Sequence, residues 1–246
     1  MKPRNALLYA LMVLYVFFWF GGVLSHVFLG GPPAHVAWTA PLFLGLAGVL
    51  VLASSDTTTF ARLLVAGAIG LIAELAGVHT GLPFGPYAYS SALFPSLMGV
   101  PLVMTCAWFV LAAYWNQILS PLSLTAVARI VTFGLALTAT DLIIDPLAAG
   151  PLEYWSWSIP GRYYGIPLSN FVGWFLVSCV IGWATRSVTA HNKLHLFVGI
   201  SITAFFTILA VAHTMWTAAM VGIVLIAIGW YSKLRMSIRQ KPKDGR

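Results

Sequence analysis

The chain has 246 residues, of which 60% are hydrophobic and only 8% charged, and its mean hydropathy is +0.90. A soluble domain carries about 25% charged residues, so an ordinary water-soluble fold, a disordered chain and a nucleic-acid-binding domain are excluded. The formal charge of +7 comes from lysines and arginines at the chain ends and between apolar runs, the pattern of a membrane protein with its cations on one side. Cys106 and Cys179 lie inside apolar runs and read as small core residues, not as a disulfide or thiolate metal framework.

A membrane-crossing helix needs roughly 20 apolar residues, because the hydrocarbon core is ~30 Å thick and each residue rises ~1.5 Å. In chain order, eight segments qualify: 6–29, 36–54, 61–79, 96–118, 126–149, 167–186, 194–212 and 214–232. The first is expected to be a retained helix, since no small-residue cleavage site follows it. The run from Leu194 to Tyr231 is too long for one crossing, and His213 and Thr214 are its polar break. Lys2, Arg4, Arg62, Arg129, Arg186, Lys193, Lys233, Arg235, Arg239, Lys241, Lys243 and Arg246 fall on one side only if there are eight crossings. The expected fold is therefore all-α: a single integral membrane domain over 1–246, a polytopic bundle of about eight transmembrane helices in the plasma membrane. Both termini are expected to be cytoplasmic, with 233–246 a basic tail near anionic lipid. Segments 30–35, 80–95 and 150–166 fall on the outer side, and the Trp and Tyr in them suit an interfacial belt.

Only six carboxylates occur in the chain, and three of them, Glu74, Asp141 and Asp145, lie inside spans. A charged group at the centre of a membrane helix costs ~2.5–3.5 kcal/mol on insertion scales, so such residues face polar cavities or one another. Asp141 and Asp145 are four apart and share a helix face. Two ionised carboxylates close together in a low dielectric repel, so one is expected to hold a proton. The simplest structural role would be to tie helices together through backbone or through Thr138 and Thr140. Against that, His26, Asn170 and Trp174 fall in the same outer half, beside the Gly/Pro/Tyr segment 81–89 and the aromatic segment 154–164. His79, about one turn beyond Glu74, is placed to orient a carboxyl or bind water. No phosphate-binding Gly loop, dinucleotide turn, HExxH or GxSxG is present. Neutral carboxylic acids in an aromatic-ringed apolar cavity suit protonation of an alkene. Ring faces and a carboxylate would stabilise the tertiary cation, and water would quench it. Such acid–base chemistry requires no cofactor and no metal.

Three stretches then resemble a known family: Glu74-Leu-Ala-Gly-Val-His-Thr-Gly-Leu-Pro-Phe-Gly-Pro-Tyr-Ala-Tyr89; Gly99-Val-Pro-Leu-Val-Met-Thr-Cys-Ala-Trp108; and the set Asp141-Leu-Ile-Ile-Asp-Pro146, Glu153-Tyr-Trp-Ser-Trp157 and Tyr164-Gly-Ile-Pro-Leu-Ser-Asn-Phe-Val-Gly-Trp174. Together, over roughly 70–175 and in this order, they resemble the membrane carotenoid 1,2-hydratase type of carotenoid biosynthesis protein, which includes the bisanhydrobacterioruberin hydratases. The resemblance implies a hydro-lyase that adds water across the terminal C1=C2 bond of an acyclic carotenoid end group. It assigns no individual acid.

From the residues themselves, Asp141 and Asp145 are expected to act as a coupled pair, one giving the proton and the other holding water. Glu74 is a second acid or the water-activating base. His79, Tyr87, Tyr89, Trp155, Trp157, Tyr164, Asn170 and Trp174 are expected to form the substrate pocket, and Pro86, Pro146 and Pro167 to shape its backbone. The expected partners are a lipophilic carotenoid, water, membrane lipid and other carotenoid enzymes, with no nucleic acid. Three rival functions share these features. A lycopene-cyclase-like enzyme would use the same proton-first chemistry. A prenyltransferase would use Asp141-x-x-x-Asp145 to hold magnesium and a diphosphate, although only Arg162 is nearby to grip phosphate. A proton-coupled transporter would also carry intramembrane acids.

Overall fold

A computed structural model describes residues 3–188 and 192–239. Lys2, Lys241, Lys243 and Arg246 of the expected basic termini lie outside the described residues, as do the side chains of Arg4, Arg235 and Arg239. The described residues form eight helices: α1 (Pro3–Phe28), α2 (Thr39–Ser54), α3 (Thr57–Thr80), α4 (Met104–Leu119), α5 (Ala126–Ala149), α6 (Leu168–Thr185), α7 (Lys193–Ala212) and α8 (Trp216–Arg239). All but α2 and α4 are long and apolar enough to cross a membrane, so the chain is a multi-pass α-helical membrane bundle.

Local sequence explains where the helices begin and end. The Asp56 side chain accepts from the Thr59 N–H at 3.0 Å to open α3. Thr125 does the same for α5 through the Ala128 N–H, and Asn192 for α7 through the Leu194 N–H. Side-chain oxygens at these positions satisfy donors that have no intrahelical partner. Gly81 closes α3 at φ 76°, a left-handed conformation that glycine adopts without a Cβ penalty.

The expected span 96–118 is corrected by the structure. Its first residues form a hairpin, β2 (Ser96–Leu97) paired with β3 (Val100–Pro101), turned by Met98 and Gly99, both at positive φ. An apolar run does not by itself distinguish strand from helix, and Pro101 removes a helix donor at the point where the run would have to continue. The resulting α4 has 16 residues, about 24 Å at ~1.5 Å per residue. It need not match the bilayer, because Trp108 to Leu119 are buried without interruption at the centre of the bundle. The last pair of crossings divides where the sequence predicts, α7 ending at Ala212 and α8 starting at Trp216.

Two faces result. The connections after α2, α4 and α6 meet on a basic face. There Asn192 donates to the Ser54 carbonyl at 2.9 Å, its N–H donates to Gln117 Oε1 at 2.8 Å, and Arg129 donates to Asn116 Oδ1 at 3.1 Å. On the opposite face, β1 (Tyr87–Tyr89), from the connection after α3, pairs antiparallel with β4 (Trp155–Trp157), from the connection after α5. This short ribbon is the element that an all-helical reading of the sequence lacks.

Close helix approach rests on small residues. On α3, Gly67, Gly70, Glu74 and Gly77 share one stripe. A Cβ at Gly70 would collide with the Trp108 ring, whereas one at Gly45 on α2 would meet nothing within 4 Å. Gly70→Ala is therefore expected to lower the thermal unfolding midpoint in detergent, by an overpacking cost of about 1–3 kcal/mol. Gly45→Ala should leave the midpoint unchanged or slightly raised.

Candidate active site

The stripe on α3 leads directly to the site. Glu74 is only 4% exposed, and the glycines on either side of it let aromatic rings reach its carboxylate. Across Gly70, Trp108 Nε1 donates to Glu74 Oε1 at 3.0 Å. Across Gly77, whose added Cβ would lie 2.9 Å from both the Phe84 and Tyr87 rings, the Tyr87 hydroxyl donates to Glu74 Oε2. The Tyr89 hydroxyl donates to the same oxygen at 2.8 Å. Burial first, and the adjacent Glu74 carboxylate second, push both phenols above the usual tyrosine range. Both therefore remain O–H donors at any physiological pH.

The ribbon accounts for how aromatics reach the acids from the loop side. Side chains on a strand alternate between faces, and Tyr87 pairs with Trp157, Ala88 with Ser156 and Tyr89 with Trp155. Two tyrosines and two tryptophans thus share one face, while Ala88 and Ser156 take the other. The tyrosines reach Glu74. Trp155 Nε1 donates to Asp145 Oδ1 at 2.5 Å and Trp157 Nε1 to the same oxygen at 3.4 Å.

Asp141 and Asp145 stand one turn apart on α5, at 0% and 1% exposure. The Asn170 amide, at the start of α6, donates one hydrogen to Asp141 Oδ2 at 2.7 Å and the other to Asp145 Oδ2 at 2.6 Å. Asp141 Oδ1 is buried with no hydrogen-bond partner among the described residues. Pro146 follows inside the same helix. Lacking an N–H, it leaves the Leu142 carbonyl without its helical donor, and the Tyr163 hydroxyl supplies one at 2.8 Å.

Glu74 and Asp145 line one small cavity of about 20 Å³, together with Tyr87, Tyr89, Trp155, Trp157, Asn170 and Trp174. That volume has room for about one water, which needs roughly 10–15 Å³ and two to four polar partners. Trp174, which lines the cavity, stacks on Trp108 with ring centroids 4.1 Å apart, so a second indole backs that wall. Asp141 does not line the cavity; it sits behind Asn170.

Two expected pocket residues are placed elsewhere. His79 is exposed, because five residues of helix after Glu74 rotate it onto the other side of α3. Tyr164 is 39% exposed, at φ 50°, and its hydroxyl accepts from the Thr217 N–H at 3.3 Å, at the start of α8. The sequence reading missed Trp108, Phe84 and Met104. The glycines three and four residues from Glu74 were the available signal, since small residues beside a buried acid mark where bulky partners approach.

The cavity, walled by two carboxylates and aromatic faces, lies among helices long and apolar enough to cross a membrane. Residues 39–229 match the family described as carotenoid biosynthesis protein, and the chain belongs to that family. A bisanhydrobacterioruberin hydratase from Haloarcula japonica is 33% identical over 117 residues, covering 44% of this chain and 38% of the relative. The matched part is therefore well under half the length of that curated relative. No solved structure matches the chain.

Trp108→Phe keeps the ring but removes the N–H to Glu74. It should cost about 1.5–3 kcal/mol of stability, the range for hydrogen bonds to charged groups, measured by thermal unfolding. Trp108→Ala should cost about 3–5 kcal/mol, since it also opens a cavity.

Proposed function

We propose that the protein is a carotenoid hydratase, adding water across the terminal C1=C2 bond of an acyclic carotenoid end group. The observation that carries this reading is the cavity itself: two carboxylates from different helices, room for one water, and walls of aromatic faces.

The Asp141/Asp145 pair is the proton source. Two carboxylates bridged by one amide in a low-dielectric interior do not both ionise, so the pair holds one proton. Asp145 is the member at the cavity wall and delivers it to C2. Asp141, behind Asn170 and met by a single donor, stores it. The tertiary cation at C1 then faces the π-systems of Trp174, Tyr87 and Trp157. Glu74 is fixed as an acceptor by three donors. Its negative charge lowers the energy of the cation, and it takes a proton from the water that attacks C1. The electron pair of the alkene forms the new C–H bond with the proton that Asp145 gives up, and a water lone pair forms the C–O bond; one water proton stays on the product hydroxyl, and the other, taken by Glu74, passes back to the Asp141/Asp145 pair, which is thereby restored. A hydration site needs space for water beside the acids, whereas cyclisation needs water kept out.

The bundle is proposed to lie in the plasma membrane with its basic face cytoplasmic, as the positive-inside rule requires of Arg62, Arg129, Arg186 and Lys193. The acid cavity then opens near the outer leaflet.

Expression in a host that makes a defined acyclic carotenoid should give a product heavier by one water, read by mass spectrometry. Asp145→Asn and Glu74→Gln should each lower product formation by roughly 10² or more, the scale of a general acid or base, while the proteins elute as wild type does. Full activity in the Asp141→Asn, Asp145→Asn and Glu74→Gln variants would overturn the mechanism. A cyclised product of unchanged mass would overturn hydration in favour of cyclase chemistry.

A further inference from the structure

Beside the acid cavity lies a much larger one of about 320 Å³. Its walls come from α1, α2, α4, α5 and α7, and its lining is almost wholly apolar. The two cavities share two wall residues, Met104 and Trp155. Trp155 thus has its indole between them, with its N–H on Asp145.

The groove follows α1 for part of its length. Along α1 it runs from Phe17 to His26, nine residues or about 14 Å at ~1.5 Å per residue. Gly21 leaves part of that side bare, since an added Cβ there would meet nothing within 4 Å, whereas the Phe205 ring closes on Gly22, 2.9 Å from where a Cβ would stand. Phe43 packs beside Phe205, with ring centroids 5.6 Å apart. Of the three hydroxyls on the lining, Ser25 donates to the Gly22 carbonyl at 3.0 Å and Thr39 to the Val36 carbonyl at 2.7 Å, so neither of these demands a polar ligand; the third is the phenol of Tyr154, and the His26 imidazole also stands on the wall.

We propose that this groove seats the conjugated chain of the substrate, with the reacting end group directed past Trp155 to Asp145 and Glu74. The assignment rests on the carotenoid reading of the acid cavity and extends it. An acyclic carotenoid is about as long as the hydrocarbon core is thick, ~30 Å, so the groove holds about half of it and the remainder lies in lipid. The protein therefore reads one end of the molecule at a time and does not measure its total length. A symmetric substrate is hydrated in two separate binding events, and the singly hydroxylated product is released between them.

Pigment binding tests the groove independently of turnover. Wild type, Glu74→Gln, and the groove-filling variants Gly21→Phe and Ala107→Phe are purified from the same acyclic-carotenoid host, and pigment per protein is read by visible absorption. Wild type and Glu74→Gln should carry pigment, and each filled variant roughly tenfold less. Gly21→Ala, which leaves the groove open, should retain it and guards against a folding defect. Wild-type pigment levels in both filled variants would overturn the proposal, as would purified wild type that holds phospholipid and no pigment. Pigment lost on filling the groove, with no hydrated product from wild type, would uphold the groove and remove the hydratase reading instead.

Discussion

Burying three carboxylates inside a membrane bundle is the constraint around which this structure is organised. An acid in hydrocarbon is tolerated only when donors replace the water it has lost. Glu74 and Asp145 each receive three N–H or O–H bonds. These donors come from α4, from the β1–β4 ribbon and from the start of α6. Non-helical backbone is admissible at this depth only where it is enclosed by protein or faces a cavity, and the ribbon meets that condition.

The choice of donors links stability to chemistry. Tyrosine and tryptophan bring a polar tip on an apolar body, so the groups that satisfy the acids also bring π-faces to the cavity. A serine or asparagine in their place would satisfy a carboxylate without offering a surface to a carbocation. The one amide used, Asn170, is spent where two carboxylates must be held close together. Its two hydrogens divide between Asp141 and Asp145, which sets the pair's separation and makes it behave as a unit.

Much of the fold is legible from apolar periodicity, because a bilayer demands long apolar helices and the basic residues divide them. Where the reading fell short, the reason is local. Residues 96–103 are apolar but turn as a hairpin, since composition does not register the positive φ at Met98 and Gly99. His79 is near Glu74 in sequence but not on its helix face. Tyr164 belongs to the aromatic segment, yet its backbone turn aims it at α8.

The sequence by itself determined that the protein is a membrane bundle with three acids at one depth, because charge inside an apolar run is conspicuous and Asp141-x-x-x-Asp145 can only share a face. Its alternating Tyr-Ala-Tyr and Trp-Ser-Trp triplets also carried, unread, the one-sided aromatic ribbon. Only the tertiary structure decided that Glu74 from α3 meets Asp145 from α5, that Trp108 completes the donor set, and that Asp141 stands behind the cavity wall. Those outcomes depend on which helices pack together and how closely, and the glycines that permit the approach acquire meaning only once the ring that fills each gap is known.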